Sequence, residues 1–205
     1  MSDFYDESYY FGRKKSNYLT YQLYALRLPW RSVIKTIAMH GKGGTFLDIG
    51  CAFGYLANFA KPYFTKVIGI DISSYAAAQA KRNFPDIDFR VADITKGLPF
   101  EDGAFNFISA VDVLEHIKSP ERAVQEISRL LSGGGVFFFR VPYYGLLRKI
   151  LGRFDVDKSH ISIQTPETWN TNLRDNGFNI ISEKKFPSLI GGQLTVVAVK
   201  AEKNP

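Results

Sequence analysis

The sequence predicts an α/β protein: a mostly parallel sheet covered by helices on both faces and ended by an antiparallel hairpin. Two patterns carry this reading. Between residues 45 and 141 short apolar runs alternate with helix-patterned segments. Near the C-terminus two strand-like runs stand too close together for a crossover, so they must pair as a hairpin. A third observation, the segment Thr45–Leu56, reads as a short apolar strand, a small-residue turn and a helix start.

Residues 1–15 are polar and aromatic and read as loop or a short helix. Leu19, Leu23, Leu26, Val33, Ile34 and Ile37 recur at helical spacing, and Pro29 breaks the run, which predicts two helices. Residues 1–44 therefore read as a helical cap and 45–205 as the main domain. Gly41-Lys42-Gly43-Gly44 is a turn. Strands are expected at 45–50, 66–71, 87–92, 105–111 and 135–141, with helices at 54–63, 74–83 and 119–131 between them. Ser132-Gly133-Gly134-Gly135 should end the last of these helices. Thr165-Pro166-Glu167 opens a helix over 166–176 that Gly177 stops. Runs 178–186 and 193–200 form the hairpin, and 142–165 has the mixed character of an insertion.

The bulk composition narrows the class. A chain of 205 residues with 45% hydrophobic content fits one domain with a real core. No apolar run approaches the ~20 residues of a membrane span. The acidic, aromatic N-terminus is not a signal peptide. The single cysteine, Cys51, excludes an internal disulfide framework and fits a reducing cytoplasm. A net charge of +6 admits an acidic partner such as nucleic acid, a phosphorylated small molecule or anionic lipid, and serves solubility equally well.

Asp48, Asp71 and Asp93 end three successive strands, where an open α/β sheet binds ligands. Small residues at 50, 52 and 54 let the backbone approach a ligand closely. Asp71 follows the glycine turn by roughly twenty residues, the position of a carboxylate that accepts ribose hydroxyls. Asp93 can accept from an adenine amine, and Ile72 and Ile94 offer apolar faces to the base. A nicotinamide-linked oxidoreductase also uses a glycine turn and a second-strand acid. Here, however, Gly50-x-Ala52-x-Gly54 lacks the G-x-G-x-x-G of a pyrophosphate site. Asp48 just ahead of the turn would repel a pyrophosphate and favour an ammonium or other cationic centre.

From residue 45 to about 200 the chain resembles the class I S-adenosylmethionine-dependent methyltransferases, and most of all the group containing the ubiquinone- and menaquinone-pathway enzymes. The matching pieces are Leu47-Asp48-Ile49-Gly50-Cys51-Ala52-x-Gly54, Ile70-Asp71-Ile72-Ser73, Ala92-Asp93, Leu98-Pro99-Phe100-Glu101-Asp102-Gly103-x-Phe105, Val113-Leu114-Glu115-His116-Ile117 and Glu126-Ile127-x-Arg129-Leu130-Leu131-x-Gly133-Gly134. Any one piece is weak; their order and spacing together are specific. The resemblance implies a Rossmann-like three-layer sandwich with a seven-stranded sheet whose final strand is reversed. It implies that Gly50 holds the methionine portion of the donor, Asp71 the ribose and Asp93 the adenine. The donor-binding set expected from it is Asp48, Gly50, Cys51, Ala52, Gly54, Tyr55, Asp71, Ile72, Asp93, Ile94 and Val111. Two departures are Ala52, where glycine is commoner, and Asn106, where an Asp often follows the Phe.

Methyl transfer from a sulfonium asks the protein to align the acceptor and exclude water. A hydroxyl or amine acceptor also needs a base, and histidine is the natural one. His40 precedes the glycine turn on the far side of the first strand. His116, following the fourth strand, and His160, in the polar loop after the fifth, are the candidates, with Glu115 beside them. Asp112, Glu115 and His116 have helical i, i+3, i+4 spacing. This resembles the metal-binding Glu-x-x-Glu-His segment of some ubiquinone-pathway and plant small-RNA methyltransferases. With His160 as a fourth ligand, the group could hold Mg, Mn or Zn, although no metal is assigned.

The acceptor is the least defined part. Phe4, Tyr5, Tyr9, Tyr10, Phe11, Tyr18 and Tyr143-Tyr144 could line its pocket or serve as a hydrophobic cap. Arg140, Arg148, Lys149, Arg153 and Lys158 hint at a phosphate-bearing or lipid-linked acceptor, or are a solvated face. No RNA-binding module accompanies the fold, which argues against nucleic acid. A small-molecule or lipid-like acceptor, with oxygen favoured over nitrogen, is the expectation. A non-catalytic module that binds the donor, or a nucleic-acid methyltransferase, are the alternatives.

Overall fold

The computed structural model describes residues 5–10, 30–41, 43–144, 160–187 and 191–202. Expectations for Phe4, Phe11, Tyr18, the helix over 19–26, and Arg148, Lys149, Arg153 and Lys158 fall outside them. The helices are α1 (Glu7–Tyr10), α2 (Arg31–His40), α3 (Tyr55–Ala60), α4 (Ser74–Asn83), α5 (Pro120–Leu130) and α6 (Pro166–Asp175). The strands are β1 (Thr45–Ile49), β2 (Lys66–Asp71), β3 (Asp88–Val91), β4 (Phe105–Val111), β5 (Leu131–Tyr144), β6 (Phe178–Pro187) and β7 (Gly191–Lys200).

They form a seven-stranded sheet in the order β3-β2-β1-β4-β5-β7-β6. β1 to β5 pair in parallel, whereas β7 runs antiparallel to both β5 and β6. The hairpin is therefore present, and its second strand is inserted between β5 and β6. The order reverses at β1, with β2 and β3 on one side and β4 and β5 on the other, which opens a crevice at their carboxyl ends.

Alternate residues of each strand feed two cores. Leu47, Ile49, Ile68, Ile70, Ile108, Phe137 and Phe139 pack beneath α5 and α6, meeting Val124, Ile127, Trp169 and Leu173. Phe46, Val67, Phe107, Val136 and Phe138 pack on the other face against Val33 and Ile37 of α2, Leu56 and Ala57 of α3 and Ala80 of α4. The strands are buried on both faces, so they read as continuous apolar runs rather than alternating ones.

Helix boundaries follow local chemistry. The Ser73 hydroxyl caps α4 by accepting the Ala76 N–H at 3.1 Å, and Thr165 caps α6 through the Thr168 N–H at 3.2 Å. The helix expected over 54–63 stops at Ala60, and a 3-10 turn over Lys61–Tyr63 holds Pro62. The glycine run expected to end the fourth-strand helix instead lies in β5. That strand starts at Leu131, with an irregularity opposite Phe105/Phe107 that Gly134, at φ +73°, accommodates.

Two motif pieces prove architectural. Arg129 binds Glu126, Asp102 and the Phe100 and Leu98 carbonyls, while Glu126 accepts the Leu98 N–H at 2.7 Å, so the loop before β4 is fastened to α5. Asn106 accepts the Thr45 N–H at 2.9 Å, a local hydrogen-bonding role at the start of β1.

Candidate active site

The carboxyl ends of β1 to β4 surround a cavity of about 230 Å³, room for an organic molecule rather than a few waters. It is lined by Ile49, Gly50 and Ala52 at the end of β1 and by Ile70, Asp71 and Ile72 at the end of β2. One end is Ala92, Asp93, Ile94 and Thr95 after β3; the other is Val111, Asp112 and Val113 after β4, continuing through His116 to Arg122. Tyr5, Tyr9 and Tyr10 of the N-terminal segment close over it.

The glycine turn and Asp71 are built as one unit. Ala52, at φ +45°, donates its N–H to Asp71 Oδ2 at 2.9 Å, and the Ser73 N–H binds Oδ1 at 2.8 Å. The Ile72 N–H adds a further pull on the carboxylate, whose remaining acceptor capacity suits a ribose hydroxyl. Burial pushes the Asp71 carboxyl up to about 6, against the pull of the Ser73 and Ala52 N–H groups. Gly50 has φ +68°, and a Cβ there would lie 2.3 Å from Val113 Cγ2, so the turn after β1 and the turn after β4 are in tight contact.

Asp48 lies behind the turn, not in the cavity wall. It is 3% exposed and accepts the Ser109 hydroxyl at 2.7 Å across β4. Burial pushes it up to about 7, and the nearby Asp71 adds to the rise. Its contact with Ser109 braces the strand beneath the turn. Cys51, Gly54 and Tyr55 are likewise absent from the wall. Cys51 is a buried thiol, raised by burial and by Asp71 and Asp48. Gly54, at φ +82°, leaves room for Phe89, whose ring a Cβ would meet at 2.6 Å, and Tyr55 packs edge-on to Phe84.

Of the donor-binding set expected from the resemblance, Gly50, Ala52, Asp71, Ile72, Asp93, Ile94 and Val111 line the cavity. Asp93 also caps the next turn, with Oδ1 accepting the Thr95 N–H at 3.0 Å and hydroxyl at 2.7 Å. Its Oδ2 lies 3.9 Å from Lys96. A carboxylate for ribose, a second for an adenine amine and isoleucine faces between them suit a nucleoside donor.

His116 faces the cavity from the 3-10 turn Leu114–His116. His160 does not line it, but its ring centroid is 4.9 Å from that of His116. The Glu115 carbonyl brings them together by accepting the Ile161 and Ser162 N–H groups, each at 3.0 Å. The Glu115 side chain is 1% exposed, and its Oε1 lies 4.0 Å from His116 Nε2. One ligand atom from each of Glu115, His116 and His160 falls within 4.8 Å of the others. Tyr5 packs edge-on to His116 at 6.0 Å.

The helical turn expected to add Asp112 to this group does not form. Asp112 has φ +56° and turns the chain out of the sheet, and its carboxylate pairs with Arg140 Nε at 3.1 Å and Nη2 at 2.5 Å. Arg140 is thereby withdrawn from the basic border suggested for an acceptor. Tyr143 covers Gly192 on β7, whose Cβ would meet its ring at 2.5 Å. Tyr9 and Tyr10, both 4% exposed, are cap and wall at once, packed on Ala52, Phe53 and Ala76. Val113 and Ile117 of the motif segment line the cavity too, and Thr95, Lys118, Ser119 and Arg122 do so without having been singled out. Position after β3 and β4 was their only sequence signal.

A family model described as a methyltransferase domain matches residues 21–183. The chain belongs to this family, the class I S-adenosylmethionine-dependent methyltransferases. It is 28% identical over 137 residues to a probable S-adenosylmethionine-dependent methyltransferase of Mycolicibacterium smegmatis, covering 67% of this chain and 47% of that one. It is 27% identical over 124 residues to a ubiquinone biosynthesis O-methyltransferase of Albidiferax ferrireducens, covering 58% and 48%. The chain thus spans about half the length of these relatives. The crystal structure of a putative methyltransferase from Bacillus halodurans shares the fold, with a TM-score of 0.72, 17% identity and coverage of 83% of this chain and 98% of that one. No helix among the described residues is long and apolar enough to cross a membrane.

Proposed function

We propose that this protein transfers a methyl group from S-adenosylmethionine to a small-molecule or lipid-linked acceptor, at oxygen in preference to nitrogen, and that it works in the cytoplasm. The observation that carries the reading is one cavity lined by Asp71, Asp93 and His116, at the strand ends where the sheet order reverses. Family membership supplies the donor class. The O-methyltransferase relative supports the choice of oxygen, and the buried Cys51 thiol suits a reducing compartment.

Asp71 would hold the ribose through its remaining acceptor capacity, and Asp93 the adenine amine, with Ile72 and Ile94 against the base. That orientation directs the amino-acid arm toward Gly50 and Val113. When bound, the donor supplies an electrophilic methyl on a sulfonium, a leaving group that needs no protonation. His116 takes the acceptor proton. His160, held next to it by the Glu115 carbonyl contacts, orients the ring or relays the proton onward. Tyr5, Tyr9 and Tyr10 keep water from the reacting centre.

Labelled methyl transfer from S-adenosylmethionine into fractionated cell extract tests both donor and acceptor. Wild-type protein should label a small-molecule or lipid fraction, and His116→Ala should lower the signal by about 100-fold. A second reading gives Glu115, His116 and His160 a divalent metal that lowers the acceptor's pKa. In that case excess chelator abolishes labelling and Mg, Mn or Zn restores it, whereas full activity in chelator removes the metal. Labelling confined to nucleic acid or protein would overturn the proposed acceptor class.

A further inference from the structure

Among the described residues two that are not glycine have a positive φ, Ala52 and Asp112, and both line the same cavity. Ala52 belongs to the turn that holds Asp71. Asp112 sits at the opposite end and has no part in the donor contacts or the proton path described above. A left-handed non-glycine residue persists only where its surroundings over-determine it. Here the surroundings are Arg140. The Asp112 N–H donates to the Arg140 carbonyl at 2.9 Å, extending the β4–β5 ladder by one bond. The Arg140 guanidinium grips both oxygens of the Asp112 carboxylate. The two side chains are only 11% and 23% exposed, so the pair is poorly screened. The bend it fixes puts Val113 onto Gly50 and leads directly into the turn that carries His116.

We propose that Asp112 and Arg140 form a positioning latch. By fixing the bend after β4 it sets the wall against which the amino-acid arm of the donor lies, and it places His116 over the reacting centre. The inference rests on the donor orientation proposed above. Neither residue is assigned a contact with the transferred methyl; both act through Val113 and His116.

Calorimetric titration of the full chain with S-adenosylhomocysteine and with 5′-methylthioadenosine, which lacks the amino-acid arm, tests the latch. Asp112→Asn keeps the size of the side chain and tolerates a left-handed φ, but it loses the charge. It should weaken S-adenosylhomocysteine by about tenfold and change methylthioadenosine by less than about twofold. Arg140→Gln should do the same, and the double variant should be no worse than either single one. Should Arg140→Gln fail to fold, Arg140→Lys carries the comparison, because a lysine keeps the charge but cannot make the two-point grip. Asp112→Gly, relaxed at this φ, should lose the same affinity, since the tie rather than the backbone angle sets the wall. Unchanged S-adenosylhomocysteine affinity, additive losses or equal weakening of both ligands would overturn the latch. Failure of the donor reading looks different: wild-type protein would then bind neither ligand.

Discussion

In the proposed donor site Asp71 meets two opposed demands. To accept ribose hydroxyls its carboxylate would have to be ionised, yet its burial disfavours the charge and holds the carboxyl at about 6. S-adenosylhomocysteine affinity should therefore fall as the pH drops below about 6, approaching tenfold per pH unit, as titrations between pH 5 and 8 will show. Stability of the donor-free protein runs the other way. Asp71 at about 6 and Asp48 at about 7 both lie above the 3.8 of a free carboxyl, so the folded chain keeps protons that the unfolded chain has lost. Their contribution is fullest below pH 3.8 and declines as the pH rises through 6 and 7. Asp48→Asn, which can still pair with Ser109, should raise the stability of the donor-free protein at pH 8 by roughly 1–3 kcal/mol, measured by denaturant melts. A loss of stability would mean that the ionised Asp48 is compensated by contacts beyond Ser109.

At the scale of elements, the unit that matters is β1, its turn and α3. Gly50 combines a left-handed φ with the pressure of Val113, so Gly50→Ala strains the backbone and displaces the neighbouring wall. It should cost about 2 kcal/mol or more of stability and lower S-adenosylhomocysteine affinity as well, seen by melting and titration of the same sample. The turn was legible because small residues at 50, 52 and 54 and acids at 48, 71 and 93 are spaced by chemistry that only a few folds use. What each residue of the motif does was less legible. Asp48 and Gly54 share the motif with Gly50, but their contacts with Ser109 and the Phe89 ring could not be read from it. The Asp112 bend was hidden because its i, i+3, i+4 spacing to Glu115 and His116 imitates a helix. The partner that prevents the helix, Arg140, is 28 residues away.

At the scale of the whole molecule, two cores on either face of one sheet hold the strand ends in register. Phe139 is fully buried between Phe137 and Trp169, with centroid distances of 5.1 and 5.3 Å. Phe139→Ala should cost about 3–5 kcal/mol in equilibrium unfolding while leaving donor affinity of the folded fraction intact. The strand count and the parallel run followed from short apolar runs alternating with helix-patterned segments. The reversed final strand came from the family resemblance, whereas the insertion of β7 between β5 and β6 was not legible, because a hairpin looks the same in sequence whichever strand joins the sheet. The approach of His160 to His116 was raised by the resemblance, but the backbone bonds from Ile161 and Ser162 to the Glu115 carbonyl that create it were not legible. The proposed function makes the crevice a nucleoside site built around Asp71. Titration of wild-type protein and Asp71→Ala with S-adenosylhomocysteine and with NADH tests that most directly. The account predicts saturable S-adenosylhomocysteine binding by wild-type protein, at least about tenfold weaker in Asp71→Ala, and no binding of NADH. Equal S-adenosylhomocysteine affinity in the two proteins, or binding of NADH in its place, would contradict it.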